Sequence, residues 1–450
     1  MTGFGLTPLV DTGLGNSAYV LDLGDGGALV VDPSRDLRKV REAIRQQGLR
    51  PRFTAETHLH ADFVSGARQL HSSDGAEIVA SAAGGRAFDY RGLADGDEVD
   101  LGGLMLRALG TPGHTDEHLS YLLLDGSKPL GVFTGGSLIV GAAARTDLVD
   151  PERTEELARA QYRSIQRLIE LPDDVAVWPA HGAGSFCSAP AGADRTSTIG
   201  AEKATNPLLA ADGEDDFVER LLAGLGEYPT YFDRLGEVNR RGPAIIAEPP
   251  ALTPLAIGDF RAATDAGATV VDVRPAVDFA EAHVPGAVAI PLRSAFATWL
   301  GWVVPDGTPV VIVRNPDQDA AEIAWQATKI GYDLAGELDG GMDAWDGPVR
   351  AIPFLDPARA AERLGDTTVV DVREASEYRG GHVPAAVGIA LGHMASAPLP
   401  DGPLLTVCGH GERAMTGASL AHRRGADVAV LSGGSEDLAK AAGTVLETGA

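Results

Sequence analysis

Residues 270–288 read VVDVRPAVDFAEAHVPGAV, and residues 369–387 read VVDVREASEYRGGHVPAAV. Asp272, His283 and Pro285 recur as Asp371, His382 and Pro384, each 99 residues further on. In both copies the β-branched run predicts a buried strand, the following stretch a short helix, and HVPxA a turn into the next strand. Each copy continues into another strand and loop, TPVVIVRNPDQD at 308–319 and GPLLTVCGHGER at 402–413, and then into an Ala-rich helical pattern. Strands alternating with helices predict a parallel α/β domain, and a unit near 100 residues is too long for a solenoid repeat. We therefore expect two tandem domains, 250–350 and 351–450, with the Pro-rich AEPPALTP at 247–254 marking the boundary before them.

Upstream, residues 1–246 read as one α/β domain of two sheet-like halves. SAYVLDL and GALVVDP predict strands, and DLRKVREAIRQQG has helical spacing. A second β-rich stretch, VDLGGLMLRALGTPGHTDEHLSYLLLDG, precedes GVFTGGSLIVG and the helical PERTEELARAQYRSIQRLIEL, where Pro151 and acidic residues mark a helix start. No GxGxxG follows the first strand, which excludes a doubly wound dinucleotide binder.

The chain has 450 residues, 44% of them hydrophobic, enough for about three domains on the usual domain size. Its formal net charge of −26 argues against nucleic acid and anionic membrane as partners, both of which need a positive face. No apolar run is long enough for a membrane helix. MTGFGLTPLVDTGLG has no basic stretch before an apolar core, which argues against a secretory leader. The only cysteines are Cys187 and Cys408, so a disulfide framework is excluded and the cytoplasm is the expected compartment.

Histidines cluster in the first domain. His58 and His60 flank Leu59 in THLHAD with Asp62 beyond, His114 and His118 lie in TPGHTDEH, and His181 opens HGAGSFCS. A single one of these would read as an ordinary hydrogen-bonding histidine. The set, on α/β scaffolding, predicts a divalent transition-metal site in which His58 and His60 face one side and Asp62 joins from the turn.

In this order, THLHADFVSG, TPGHT, FTGGSL and PAHG resemble the metallo-β-lactamase fold, and most closely its persulfide dioxygenase branch, including forms fused to rhodanese domains. The resemblance implies an αββα sandwich and a mononuclear Fe(II) held by His58, His114 and an aspartate of a TGD motif. Here Thr134-Gly135-Gly136 puts glycine at the aspartate position, and Phe63 stands where many relatives have a second-site histidine. The face could then be completed by His60, Asp62, Asp116, Glu117 or Asp147. Three readings stay open: an iron site with a substitute ligand, an altered three-histidine site (His58, His60, His114) for which zinc is an alternative occupant, and a degenerate metal-free relic. The stretch YPTYFDRLGEVNRRG at 228–242 resembles the end of this domain in the fused forms.

Cys408 begins CGHGER, after a strand and before a helix. Inward-turned backbone N–H groups and the positive helix N-terminus favour an anionic sulfur there, and Gly409 and Gly411 let the loop curl. Arg413 can close the ring or hold an anionic substrate. Four residues, Gly409 to Glu412, separate Cys408 from Arg413, a shorter loop than that of cysteine phosphatases. The loop, the VVDVR…HVP repeats and Gly340, Gly341 and Trp345 resemble the rhodanese family, which implies a persulfide carried on Cys408, with Cys408 and Arg413 catalytic. In the first copy Arg314 aligns with Cys408, so that domain is expected to be inactive; the second copy, ending in GGSEDL, lacks the usual aromatic. Cys187 reads as structural, with a place in the metal pocket as the alternative.

The expected function couples the two sites: persulfide dioxygenase-like oxidation to sulfite, and rhodanese sulfurtransferase chemistry at Cys408. The implied partners are a low-molecular-weight thiol persulfide, sulfite or thiosulfate, with room for a homo-oligomer. Rival readings are a sulfurtransferase or sulfur-binding protein with a degenerate metal domain, and a thioester hydrolase of the glyoxalase II type. Arg145 and Arg413 would suit an anionic substrate.

Overall fold

Alternation in the first residues builds the floor of the molecule. In the Asn16–Asp22 strand, Tyr19 and Leu21 point to one side and Val20 to the other, and all three are buried, so the strand is covered on both faces. The structure is a computed structural model that describes residues 5–187 and 194–449. It forms two units, one running to Pro249 and including Thr328–Gly331, the other comprising Pro250–Ala327 and Tyr332 onward.

The first unit holds two six-stranded sheets. Tyr19, Leu21, Leu29, Val31 and Phe53 of one sheet share a core with Leu106, Tyr121, Leu123, Phe133 and Trp178 of the other. Val20, Ala28 and Val30 pack outward on Val40, Ala43 and Ile44 of the Arg38–Gln47 helix. On the far side, Leu122, Leu124, Val132 and Val177 pack on Ala158, Ile165 and Leu168 of the Thr154–Leu168 helix. Helix, sheet, sheet and helix therefore stack in four layers, the expected αββα sandwich. Each fully buried Leu or Phe in such a core contributes about 1.5–3 kcal/mol.

This architecture brings the histidines together. The Leu104–Gly110 and Lys128–Gly135 strands both run antiparallel to Leu119–Asp125, and Ala176–Pro179 runs parallel to Lys128–Gly135. Three strands of this sheet thus end at one edge, where the chain enters 111–118, 134–136 and 180–187. The Arg50–Ala55 strand of the other sheet leads into His58, His60 and Asp62, and Leu119 N–H donates to the Thr57 carbonyl at 2.9 Å, tying the two edges.

The second unit contains two five-stranded, all-parallel sheets with the same strand order. The register is equivalent in both: Asp272 pairs with Val313, and Asp371 with Val407. Arg314 and Cys408 therefore occupy the same position, one residue beyond. Both copies repeat an ion pair on a buried aspartate, Arg274 to Asp272 at 2.6 Å and the half-buried Arg373 to Asp371 at 2.7 Å. The copies meet within this unit, where Ala289 N–H donates to Ser419 Oγ at 3.1 Å. There a Cβ added to Gly392 would lie 2.0 Å from Trp302 Nε1, so only glycine admits that indole.

Candidate active sites

Asp32 organises the histidine cluster. Its carboxylate accepts from Thr57 N–H (2.8 Å) and Thr57 Oγ1 (2.9 Å) and lies 3.1 Å from His60 Nε2. It does so from a left-handed backbone with φ 49°, a conformation Asp tolerates better than most side chains. With His60 Nε2 engaged, His60 Nδ1 is left buried without a hydrogen-bond partner. His58 Nδ1 lies 2.9 Å from Thr57 Oγ1, and His114 Nδ1 donates to the Arg145 carbonyl at 2.7 Å, so Nε2 is the free nitrogen of both rings. Hydrogen bonds of this kind orient metal-ligating imidazoles.

The rings of His58, His60, His114 and His181 converge. From His58, ring centroids lie at 4.1, 4.8 and 5.3 Å for His60, His114 and His181, and His181 Nε2 stands 3.4 Å from His58 Nε2. Asp62 accepts from Asn16 Nδ2 at 2.9 Å and lies 3.4 Å from His181 Nδ1. Ligand atoms of His58, His60 and His181 fall within 4.8 Å of one another, as do those of His114, His181 and Cys187. His60 Nδ1 and Asp62 Oδ1, 3.9 Å apart, are buried without a hydrogen-bond partner. A buried nitrogen and carboxylate oxygen left so are costly in a protein interior and are what a transition metal satisfies, so the donor set fits such an ion.

Burial, with the neighbouring rings, holds the His58 and His118 imidazoles well below the usual histidine range. Burial likewise lowers His114, to about 3. These rings are neutral at physiological pH, the form that binds metal. Burial alone would lower His181 too, but Cys187 and Asp62 beside it raise it well above the usual value. Burial pushes the Asp62 carboxyl up, and His181 and His60 outweigh that and bring it down.

Several expectations change here. Asp116 pairs with Arg153 at 2.8 Å, Glu117 accepts from Leu59 N–H at 2.6 Å, and Asp147 pairs with Arg145 at 2.7 Å, so these carboxylates are committed elsewhere. Arg145 is not a substrate handle. Its buried guanidinium is tied to Asp147 and to the Phe186 and Gly226 carbonyls. His118 uses both nitrogens within the protein, with Gly136 N–H donating to Nε2 at 3.0 Å and Thr111 Oγ1 at Nδ1 at 2.9 Å. Phe63 stacks on His60 with centroids 4.2 Å apart. His181, outside the expected ligand set, lies at the centre of the cluster, and Cys187, read as structural, lies beside it.

Gly136 explains part of this arrangement. A Cβ there would lie 2.4 Å from His114 Cδ2, so the His114 ring fills the space a side chain would need. Gly136→Ala is expected to destabilise the domain by roughly 1–3 kcal/mol through overpacking. Thermal unfolding checks this, and an unchanged midpoint would mean that the ring has room to yield.

In the second unit, Cys408 ends the Leu404–Cys408 strand and the Glu412–Arg423 helix follows it. Gly411, at φ 85°, donates its N–H to Cys408 Sγ at 3.1 Å, a turn that glycine makes without strain. The sulfur is not sealed in the core: Cys408 lines a cavity of about 240 Å3 with Arg293, Trp299, His410, Glu412 and Arg413. Arg413 is held by Glu377 through two contacts of 2.6 and 2.7 Å, and its guanidinium lies 6.0 Å from the Trp299 ring. Arg293 pairs with Glu412 at 2.9 Å. The repeat signal could not show that the first copy lends Arg293 and Trp299 to the cavity of the second, since only the packing of the Phe296–Val303 helix brings them there. In the first copy Arg314 fills the cysteine position, bonded to Glu337 and to the Asn315 and Gln318 carbonyls.

A four-layer sandwich with a histidine cluster at its strand ends, joined to paired parallel domains of which one carries a cysteine-led loop, defines a metal-site domain linked to a sulfurtransferase-type module. Residues 11–181 match the metallo-beta-lactamase superfamily, and residues 257–347 and 356–441 each match the rhodanese-like domain. The mitochondrial persulfide dioxygenase ETHE1 of Homo sapiens is 29% identical over 191 residues, 42% of this chain and 68% of that protein. A hydroxyacylglutathione hydrolase of Methylococcus capsulatus is 33% identical over 171 residues, 37% of this chain and 62% of that protein. The crystal structure of a metallo-beta-lactamase from Staphylococcus aureus subsp. aureus COL matches with a TM-score of 0.66 and 28% identity, covering 75% of this chain and 99% of that one. This chain is a metallo-β-lactamase-fold protein homologous to persulfide dioxygenases, with two rhodanese-like domains in its C-terminal region. Among the described residues, no helix is long and apolar enough to cross a membrane.

Proposed function

We propose that this protein is a cytoplasmic sulfur-metabolism enzyme in which the metal domain oxidises a low-molecular-weight persulfide to sulfite and Cys408 transfers sulfane sulfur. The observation that carries this reading is the buried histidine cluster in a domain homologous to persulfide dioxygenases, on the same chain as a rhodanese-like Cys408 loop. His58, His60, Asp62 and His114, with His181, are the groups from which the metal would draw its ligands, Fe(II) being our assignment and zinc the alternative. Held by three of them, Fe(II) would supply open positions for O2 and the persulfide sulfur. The protein's own part is to keep the rings neutral and oriented, through Asp32, Thr57 and the Arg145 carbonyl, and to shield the centre from bulk water.

At the other site, the Cys408 thiolate attacks the outer sulfur of a thiol persulfide. The S–S bond to the carrier breaks, the carrier leaves as its thiol, and Cys408 holds the persulfide. Sulfite then attacks that outer sulfur, giving thiosulfate and regenerating the thiolate. No external oxidant is consumed in this transfer. Phe63 at the second-site position and the occupied space beside Gly136 weigh against a two-metal hydrolase.

Persulfide supplied alone to iron-loaded protein is expected to yield thiosulfate in air and none under argon, where added sulfite restores it. Equal yields from persulfide alone with and without O2 would contradict the dioxygenase half of the reading.

A further inference from the structure

With glycine at position 136, the acids near the cluster are Asp62, whose Oδ2 accepts from Asn16 and faces His181, and Asp116, Glu117 and Asp147, which are engaged elsewhere. A thiol reaches the cluster as well. Cys187 is buried, and its Sγ falls within 4.8 Å of ring nitrogens of both His114 and His181. We propose that Cys187 Sγ is a ligand of the transition metal at this centre, supplying the negative charge that Gly136 cannot. This deepens the metal-centre reading and rests on it.

Two observations independent of the cysteine point to a shared ion beside it. First, His58 Nε2 and His181 Nε2 stand 3.4 Å apart. Two nitrogens each about 2.0–2.1 Å from one tetrahedral ion are separated by about 3.4 Å. Second, His181 is fully buried and its Nδ1 faces the Asp62 carboxylate at 3.4 Å, an orientation that leaves Nε2 as the nitrogen turned to the ion.

The backbone holds the thiol where the proposal needs it. The Arg145 peptide contacts both ligands: its carbonyl accepts from His114 Nδ1 at 2.7 Å, and its N–H donates to the Cys187 carbonyl at 3.3 Å. The buried Arg145 side chain adds a bond to the Phe186 carbonyl at 3.0 Å, and Cys187 N–H donates to Ser185 Oγ at 3.1 Å. Packing fixes the start of this turn as well, since a Cβ on Gly15 would lie 2.1 Å from Ser185 N. The buried Arg145 is thereby accounted for as the residue that locks His114 and the Cys187 turn to each other. Exchange of carboxylate for thiolate preserves the charge and softens the donor set, which shifts preference toward thiophilic metals.

The test uses the full chain carrying Cys408→Ser, so that Cys187 is its only thiol, loaded with Co(II) alone. Visible d–d absorption reports cobalt on the histidine cluster, and a near-ultraviolet sulfur-to-cobalt band reports thiolate ligation. Both bands are expected. Adding Cys187→Ser should remove the near-ultraviolet band and weaken Co(II) binding by at least about tenfold. Adding Cys187→Asp should retain tight binding without that band. Visible absorption with no near-ultraviolet band in the parent Cys408→Ser chain would overturn the proposal and leave the metal centre standing. Absence of both bands would overturn the metal centre and the proposal together. A near-ultraviolet band that survives Cys187→Ser would overturn the proposal alone. The parent spectrum is decisive by itself should the Ser variant not fold.

Discussion

Cys408→Ser is expected to abolish sulfur transfer, lowering thiosulfate formation from persulfide and sulfite by at least about a thousandfold. A serine hydroxyl stays protonated at neutral pH and cannot hold a persulfide, so no compensating route passes through this loop. Position 314 cannot substitute, because Arg314 fills it and is bonded within its own loop. The loop geometry makes the loss specific to sulfur chemistry. Cys408 is 1% exposed, and its Sγ is met by Gly411 N–H at 3.1 Å; a serine there keeps the fold and loses the nucleophile. Fed persulfide in air, the variant should stop at sulfite. A rate within tenfold of the parent would remove Cys408 from the mechanism.

His58→Ala and His114→Ala should each cost the first domain its metal, to below about a tenth of an equivalent, with oxygen uptake falling at least about a hundredfold. His58 stands closest to the other rings, 4.1 Å from His60 and 4.8 Å from His114 between centroids. Its Nδ1 is oriented by Thr57, which is itself fixed by Asp32. Removing it leaves the nitrogens of His60 and His181 without the partner around which they are arranged. Elemental analysis of each purified variant reads the metal directly, and transfer from persulfide to sulfite at Cys408 should persist as an internal control. Full metal occupancy in His58→Ala would mean that the cluster is not the binding site.

The tandem domains were legible because the strand pattern survives in both copies at a fixed offset, and the equivalence of Arg314 and Cys408 follows from aligning those strands. That His58, His60, Asp62 and His114 lie together was legible because each stands just beyond a strand end, where side chains converge at a sheet edge. His181 and Cys187 were harder to read. Their approach depends on the Ala176–Pro179 strand running parallel to Lys128–Gly135, which brings 180–187 beside 134–136. Arg145 misled because an arginine near a predicted site suggests an anion, whereas burial turns it into a brace for surrounding carbonyls. Trp299 lies 109 residues before Cys408 and had no local signal at all, its helix being buried on every face.

The most direct test of the central claim is oxygen uptake by iron-loaded protein, recorded with an oxygen electrode while a low-molecular-weight persulfide is titrated in. The account predicts uptake of one O2 for every two persulfides consumed, since the sulfite formed takes sulfur from a second persulfide at Cys408, and one O2 per persulfide in Cys408→Ser, with no uptake in metal-free protein. Protein that holds a full equivalent of iron yet consumes no oxygen on addition of persulfide would contradict it.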